Sequence, residues 1–273
     1  METRCIGFIG GGNMASALIA GLIDKGTVAR EQIRASDVSS AQLQVLTNRF
    51  GIETTTDNAA LVDWADCVIL AVKPQTVAQA LGPCATKFGQ TKLLISVCAG
   101  VSIEGLAERV GKDTRIVRAM PNTPALIGEG ATAFAMGPSA TVADQAFASE
   151  LFGLVGKALV VAETQLDAVT GLSGSGPAYA LLFMEALADG GVRMGLSRDV
   201  ARELAIQTLL GTARLAAQGD AHLAELRDRV TSPAGTTAEG LFALERGGVR
   251  AALVDAVAQA TLRSRELGAR GPK

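Results

Sequence analysis

The fold of this chain is decided close to its start by residues 5–15, Cys5-Ile6-Gly7-Phe8-Ile9-Gly10-Gly11-Gly12-Asn13-Met14-Ala15. An apolar run predicts a buried strand that ends at Ile9, and Met14 lies in a predicted helix. Between them, Gly10-x-Gly12-x-x-Ala15 is a dinucleotide-binding fingerprint in the strand–turn–helix context that it requires. The first glycine permits the turn, and the second lets a pyrophosphate approach the backbone. Unpaired N–H groups at the helix start favour such an anion.

The composition indicates a globular protein with a sizeable core. The chain has 273 residues, of which 48% are hydrophobic and 19% charged, and its net charge of −2 gives no reason to expect nucleic acid or an anionic membrane as a partner. Four cysteines form no C-x-x-C pair, which predicts free thiols in a reducing cytoplasm and argues against a metal site. No uncharged apolar run is long enough to span a bilayer, and the early apolar patch has no basic segment before it.

The first half of the chain alternates strands and helices. Strands are predicted at residues 5–9, 33–36, 52–54, 67–72, 93–97, 116–120, 131–136 and 158–162. The continuous apolarity of the fourth run is typical of a strand buried on both faces of a parallel sheet. The pattern therefore predicts an α/β fold with an N-terminal doubly wound Rossmann domain.

After residue 162 the pattern predicts helices only. We therefore divide the chain into a Rossmann domain, 1–162, and an all-α domain, 163–273. The helix predicted at 177–194 is apolar on most sides and must be surrounded. Because the second domain is too small to surround it alone, we expect helices from a second copy and a homodimer as the smallest stable unit.

The turns that follow the predicted strands are candidate binding sites, because the carboxyl ends of parallel strands face the ligand crevice. Three such turns follow the first one: Ala71-Val72-Lys73-Pro74, Cys98-Ala99-Gly100 and Met120-Pro121-Asn122-Thr123-Pro124. Each could also serve only to end a strand, since Pro and Asn do so in many proteins.

The end of the second predicted strand bears on the choice of cofactor. Asp37 lies where an acidic residue usually accepts the ribose 2′-OH of NAD and repels a 2′-phosphate. The hydroxyl groups of Ser36, Ser39 and Ser40 could instead bind that phosphate. Charge alone therefore leaves NAD and NADP both open.

A second informative stretch is Ser-Pro-Ala-Gly-Thr-Thr-Ala-Glu at 232–239. Ser232, before a proline, resembles a helix N-cap, and Thr236 with Glu239 fits a capping box. The same residues also suit an anion site. Gly235 bares the backbone at a helix start, and the hydroxyl groups beside it favour a carboxylate.

Two further features favour structural roles. Residues 172–179, Leu-Ser-Gly-Ser-Gly-Pro-Ala-Tyr, open the helical region and indicate close helix packing. His222 is the only histidine and lies in a polar stretch, which is typical of a solvated side chain. With one histidine so placed, no Ser/His/Asp or Cys/His triad can be assembled.

Taken together, these blocks resemble pyrroline-5-carboxylate reductases over essentially the whole chain. The residues that carry the resemblance are Gly7-Phe8-Ile9-Gly10-x-Gly12-Asn13-Met14, Ala71–Pro74, Met120–Pro124, Ser173–Tyr179, Ala188–Gly191, Val230-Thr231-Ser232-Pro233-x-Gly235-x-Thr237 and Leu244-Glu245. The departure is Ala234, where the family commonly has a second glycine.

The resemblance implies reduction of 1-pyrroline-5-carboxylate to L-proline by NADPH, with NADH as an alternative donor, in dimers that often assemble further. It places the cofactor on Gly7, Phe8, Ile9, Gly10, Gly11, Gly12, Asn13, Met14, Ser36, Asn58, Ala71, Val72, Lys73, Pro74, Cys98, Ala99 and Gly100. It places the substrate carboxylate on Ser232, Gly235, Thr236 and Thr237. Thr237 is also the candidate catalytic residue, as a hydrogen-bond donor or proton relay at the ring nitrogen.

Two alternatives are another enzyme of this two-domain type and a protein of a different, non-catalytic class. A 3-hydroxyacid dehydrogenase shares the two-domain plan but has a catalytic Lys where this chain has Ala180. A non-catalytic nucleotide-sensing protein would bind the cofactor without turnover and would leave residues 232–237 unexplained.

Overall fold

The computed structural model describes residues 4–219 and 221–269. A single sheet contains eight strands in the order β3-β2-β1-β4-β5-β6-β7-β8. The strands are β1 Ile6–Ile9, β2 Ile33–Ser36, β3 Glu53–Thr55, β4 Cys67–Leu70, β5 Leu93–Ser96, β6 Arg115–Met120, β7 Gly130–Met136 and β8 Gly156–Val160. All eight predicted strands are present, and the ends differ from the predicted ones by at most two residues.

The sheet is parallel from β3 to β6 and changes direction once. Strand β7 pairs antiparallel with β6, and β8 is parallel to β7. The prediction of a doubly wound sheet is confirmed, and the sheet is parallel except at the β6–β7 pair. The nine residues between β6 and β7 hold only a short 3₁₀ turn, Thr123–Ile127, whereas a parallel crossover needs a longer connection.

Helices separate the strands and then occupy the rest of the chain. They are α1 Asn13–Asp24, α2 Ser40–Phe50, α3 Asn58–Trp64, α4 Val77–Leu81, α5 Ile103–Val110, α6 Val142–Gly153, α7 Leu166–Val169, α8 Gly176–Arg193, α9 Arg198–Ala217, α10 Leu223–Arg229, α11 Thr236–Arg246 and α12 Val249–Ala269. A turn of π-helix, Thr170–Gly174, separates α7 from α8. The prediction that only helices follow residue 162 is confirmed for the described residues.

The central strands β1, β4 and β5 are buried on both faces of the sheet, as their continuous apolarity predicts. Phe8 and Ile69 belong to one layer of the core, whereas Ile9, Val68 and Leu70 belong to the other. Successive side chains of a strand point to opposite faces, so each apolar run supplies both layers.

The chain forms two compact units. The first contains the residues up to Ser175 together with those from Gln259 onward, and the second is Gly176–Ala258. The predicted division into 1–162 and 163–273 stays a prediction, and residues 1–3 and 270–273 lie outside the described residues. Within residues 4–219 and 221–269, no helix combines the length and apolarity needed to cross a membrane.

The four cysteines are unpaired, as predicted. Cys67, Cys84 and Cys98 are buried, and Cys5 is half-buried. Burial raises the pKa of the Cys67 thiol to about 12 and that of Cys84 to about 11. Because a thiol reacts as its thiolate, these side chains are inert packing groups at neutral pH.

Candidate active site

The carboxyl ends of four parallel strands meet at one edge of the sheet. Ile9 is in register with both Ser36 and Leu70, and Leu70 is in register with Ser96. The turns after β1, β2, β4 and β5 therefore lie side by side. The strand order reverses between β1 and β4, which is where open α/β sheets bind ligands.

The glycine turn after β1 leaves room for a ligand. Gly10 has a φ of +96°, and a Cβ built on it would lie 2.5 Å from the carbonyl oxygen of Ala71. A Cβ built on Gly12 would meet no protein atom within 4 Å. Gly12 is also the N-cap of α1, where no side chain caps the helix and no acidic residue lies in the first turn. The arrangement fits the pyrophosphate of a dinucleotide.

Some of the residues predicted to contact the cofactor at this turn are exposed, and others are buried beneath it. Gly12 and Asn13 are exposed and Met14 is half-buried, whereas Gly7, Phe8 and Ile9 are buried strand residues. The buried residues can position the turn but offer no surface to a cofactor.

Asp37 braces the glycine turn. Its two carboxylate oxygens accept the N–H groups of Gly11, at 2.8 Å, and of Ser39, at 2.9 Å. The side-chain amide of Gln42 donates to the carbonyl oxygen of Gly11 at 2.5 Å. The Asp37 carboxylate therefore has a structural role at the point where an acidic residue would also meet the ribose. Sequence reasoning missed Gln42, since no local pattern indicates a contact 31 residues away.

Ser36 lies beneath the turn. Its side chain is fully buried, and its hydroxyl group donates to the carbonyl oxygen of Phe8 at 3.4 Å. Its own carbonyl oxygen accepts the N–H of Gly10 at 2.8 Å. Among the three predicted serines, only Ser39 and Ser40 are exposed, and Ser39 also caps α2 through the N–H of Gln42.

The turns after β4 and β5 are held together by Cys98. Its thiol donates to the carbonyl oxygens of Val72, at 3.2 Å, and Leu70, at 3.5 Å. Burial raises the pKa of this thiol, so it remains neutral and serves as a brace. Lys73 and Ala99 are exposed on the same turns, whereas Asn58 is engaged with the carbonyl oxygen of Ala80 at 2.9 Å.

A cavity of about 460 Å³ opens beside these two turns within the first unit. Its volume falls in the range of small-molecule sites. Residues from the turns and from downstream segments line it, including Pro74, Ala99, Gly100, Thr170, Ser175 and Ser264. Sequence reasoning missed the last three as lining residues, because nothing local links them to strand ends so far away in the chain.

The second predicted site is the loop before α11, in the second unit. The helix begins at Thr236 with Gly235 as its N-cap, and no side chain caps it. Both predicted caps are therefore wrong. Ser232 lies three residues before the N-cap, and Thr236 is already inside the first turn, where its side chain cannot cap.

The same loop exposes polar groups to a ligand. A Cβ built on Gly235 would lie 2.2 Å from Ser232 Oγ, so a larger residue here would force the serine hydroxyl group to turn away from its present position. Within residues 4–219 and 221–269, the hydroxyl groups of Ser232, Thr236 and Thr237 have no hydrogen-bond partner. These hydroxyl groups and the uncapped helix start form a candidate carboxylate site.

Ala234 is strained. Its φ of 55° makes it the one non-glycine residue with positive φ among the described residues. The left-handed conformation places Cβ close to the backbone and costs about 1–2 kcal/mol. The strain lies where the sequence departs from the glycine of the related family.

His222 is exposed and caps α10, since its Nδ1 accepts the N–H of Ala224 at 3.2 Å. It lies in no catalytic triad with the described residues. This agrees with the prediction of a solvated side chain and adds a capping role to it.

The strand order, the reversal point and the uncapped glycine turn define the class of NAD(P)-dependent oxidoreductases with a Rossmann unit. Residues 5–100 match the family model described as NADP oxidoreductase, coenzyme F420-dependent. Residues 163–267 match the model for pyrroline-5-carboxylate reductase dimerisation.

Known proteins resemble the chain over its full length. A pyrroline-5-carboxylate reductase from Methanosarcina acetivorans is 47% identical over 98% of this chain and 99% of its own length. A solved pyrroline-5-carboxylate reductase from Coxiella burnetii has a TM-score of 0.93 and 37% identity, covering 97% of this chain and 99% of that one. The Plasmodium falciparum enzyme, solved with NADP bound, has a TM-score of 0.87 and 33% identity, covering 98% and 99%. The chain belongs to the pyrroline-5-carboxylate reductase family.

We expect Asp37→Asn to raise the ratio of kcat/KM with NADPH to that with NADH. Removing a unit charge about 4 Å from a solvated phosphate is worth about 1 kcal/mol, or roughly fivefold. The melting temperature should fall as well, because one backbone N–H loses its acceptor. Steady-state kinetics with both cofactors and a thermal melt measure the two effects.

Asp66→Asn is the matched control for Asp37→Asn. Asp66 also accepts a backbone N–H, that of Cys5 at 2.9 Å, but it lies at the amino end of β4, away from the ligand edge. It should leave the cofactor ratio unchanged, and it should lower the melting temperature less than Asp37→Asn, because the amide oxygen of Asn can still accept the single N–H of Cys5. An unchanged ratio in Asp37→Asn would place the carboxylate outside the reach of the ribose.

Ala234→Gly should stabilise the protein. Relief of the left-handed strain, less the larger entropy that glycine loses on folding, leaves a gain of about 0.5–1 kcal/mol. Chemical denaturation measures this gain. Ala238→Gly, in the first turn of α11, should destabilise the protein by a similar amount. A loss of stability in Ala234→Gly would show that the loop is not strained.

Proposed function

We propose that this chain reduces 1-pyrroline-5-carboxylate to L-proline, the last step of proline biosynthesis, with NADPH as the hydride donor and NADH as an alternative. The observation that carries the proposal is that the family likeness spans both the dinucleotide-binding unit and the loop at 232–237. The unpaired cysteines support a reducing, cytoplasmic location.

The first unit supplies the residues that hold the dinucleotide. The open space at Gly12 and the uncapped start of α1 accept the pyrophosphate, and the turns Ala71–Pro74 and Cys98–Gly100 lie along the same edge. NADPH bound there supplies a hydride. Asp37 holds the glycine turn in place, and Cys98 holds the turns after β4 and β5 together. These fixed turns limit the entropy lost when the reactants are aligned.

The second unit supplies the residues for the substrate carboxylate. The hydroxyl groups of Ser232 and Thr236 donate hydrogen bonds to it at the N-terminus of an eleven-residue helix, where Gly235 places no side chain in its way. The positive end of the helix dipole favours the anion over a neutral analogue.

Thr237 positions the ring nitrogen. A cyclic imine that is protonated already accepts a hydride, so the enzyme needs to orient it rather than to activate it with a strong base. The Thr237 hydroxyl group is a weak acid, and its role is therefore to hold the nitrogen by a hydrogen bond or to relay a proton.

The reaction is tested by following NADPH oxidation with 1-pyrroline-5-carboxylate beside a panel of 3-hydroxyacids with NADP⁺. We expect turnover with the imine alone, because Ala180 stands where a hydroxyacid dehydrogenase has its lysine. Turnover of a hydroxyacid in place of the imine would overturn the proposal, and cofactor binding without any turnover would favour the sensing protein.

We expect Thr237→Ala to lower kcat/KM at least tenfold. A hydrogen bond to a charged group is worth about 1.5–3 kcal/mol, or roughly 10- to 150-fold. Because Gly235, and not Thr237, is the N-cap of α11, the stability should change little. The affinity for NADPH should also change little, because the residues proposed to hold the cofactor belong to the first unit. Kinetics, a thermal melt and cofactor titration measure the three quantities.

Thr237→Ser keeps the hydroxyl group and should retain most of the activity. A folded Thr237→Ala enzyme with near-wild-type kcat/KM would remove Thr237 from the site while leaving the overall reaction intact.

The second unit also carries the surface for self-association. Helices α8 and α9 pack on small residues, with Ala188, Ala201 and Ala205 buried between them. The larger side chains face outward, so that Leu181 is 65% exposed and Leu182 66% exposed in the single chain. Together with the dimerisation-family match over residues 163–267, this makes the protein a homo-oligomer whose smallest stable unit we propose is a dimer.

We expect light scattering to show no folded, active monomer of the wild type at dilute concentration. Leu182→Lys should shift the protein towards monomer or prevent folding, because it places a charge in the proposed interface. Val142→Lys changes a residue that is even more exposed and lies outside the matched region, and it should leave the size unchanged. An active wild-type monomer would remove the dimer from the proposal.

A further inference from the structure

The Ser173–Gly176 segment has a position that packing alone does not explain. It leads from the π-helical turn Thr170–Gly174 into α8, and Ser175 lines the cavity beside the turns that follow β4 and β5. Single turns of π-helix occur frequently at functional sites.

The hydroxyl groups on this turn differ in their partners. Thr170 donates to the carbonyl oxygen of Leu166 at 2.9 Å, and Ser173 donates to that of Val169 at 3.1 Å. The N–H of Ser175 donates to the carbonyl oxygen of Thr170 at 2.9 Å, but the hydroxyl group of Ser175 has no partner within the described part of the chain.

Most other polar side chains of the cavity are engaged. Ser264 donates to Asp167 at 2.7 Å, and Arg263 pairs with Glu266 at 2.8 Å. Gln75 is exposed to solvent. Ser175 is therefore the half-buried donor that the cavity leaves for a ligand.

Asn122 fixes the turn from the end of β6. Its Nδ2 donates to the carbonyl oxygen of Ser173 at 3.1 Å, and its Oδ1 accepts the N–H of Ala131 at 2.8 Å. Both ends of the amide are used, so that strand β7 and the π-helical turn are tied to one side chain. Met120 lies against Gly174, where a Cβ would come within 2.8 Å of its methyl carbon.

The place of the cavity in the sheet suggests its occupant. A dinucleotide crosses the reversal point with one nucleoside on each half of the sheet, and β2 with Asp37 lies on the adenosine half. The turns after β4 and β5 belong to the other half, which leaves the cavity beside them for the nicotinamide nucleoside.

We infer that the Ser175 hydroxyl group hydrogen-bonds the carboxamide of the bound nicotinamide and that Asn122 is the positioning residue that holds Ser175 in place. The inference rests on the proposed cofactor and assigns a ligand-binding role to a segment whose sequence indicates only packing. This hydrogen bond fixes the rotation of the nicotinamide ring and so decides which face of the ring is turned towards the substrate.

The test compares two ligands by calorimetry: NADP⁺ and 2′-phospho-ADP-ribose, which lacks the nicotinamide. Ser175→Ala should weaken NADP⁺ binding about 3- to 10-fold, the range for one neutral hydrogen bond, and should leave the truncated ligand unaffected. Asn122→Asp should show the same selective loss. It keeps an acceptor for Ala131 but loses the donor to the Ser173 carbonyl oxygen.

Ser173→Ala is the matched control, because it removes a hydroxyl group from the same turn that is already bonded within the helix. It should change neither affinity. The inference is overturned if Ser175→Ala weakens both ligands equally or neither of them, or if Gln75→Ala shows the selective loss in its place. Since no substrate is needed, this result is independent of whether the enzyme reduces the cyclic imine.

Discussion

The backbones of Gly10 and Ala71 pass so closely that no side chain fits between them, and the cofactor edge depends on this contact. A Cβ on Gly10 would lie 2.5 Å from the carbonyl oxygen of Ala71. The N–H of Gly10 bonds to Ser36, and the N–H of Ala71 bonds to Ile9, each at 2.8 Å. The ends of β1, β2 and β4 are thereby locked together, and the turns that follow them become one continuous surface.

The helix starts show how the chain separates stability from binding. Ser39, Asp57 and Ser102 cap α2, α3 and α5 through side-chain oxygens. By contrast, α1 and α11 begin after Gly12 and Gly235, which have no side chain to offer. A side-chain cap would occupy the N–H groups that an anion needs. These two helices, each with a glycine N-cap, are the ones assigned to the pyrophosphate and to the substrate carboxylate, and such local departures from stable design are typical of functional sites.

In the second unit, small residues determine how closely two helices pack. Alanine and glycine let α8 and α9 approach closely, since a Cβ on Gly191 would already lie 3.1 Å from the side chain of Ala201. The leucines that would otherwise fill this contact face outward. The abundance of small residues therefore leaves an apolar surface that a second copy can cover.

The sequence by itself determined the strands, the helices and the nucleotide turn, because these depend on periodicity and on glycine spacing within short segments. It also determined the resemblance of the loop at 232–237 to a substrate site. Its local rules failed at the same loop. Ser232 is a residue type that commonly caps helices, but the chain passes through the left-handed conformation at Ala234, and the helix begins only at Thr236.

Only the tertiary structure decided which of the predicted residues form a surface. Ser36 and Phe8 have the right position in the chain, but the sheet buries them beneath the turn. The roles of Gln42 and Asn122 arise from contacts 31 and 51 residues away, respectively. The physical reason is that a hydrogen bond between distant segments depends on how the strands are ordered in the sheet, and no local pattern of residues encodes that order.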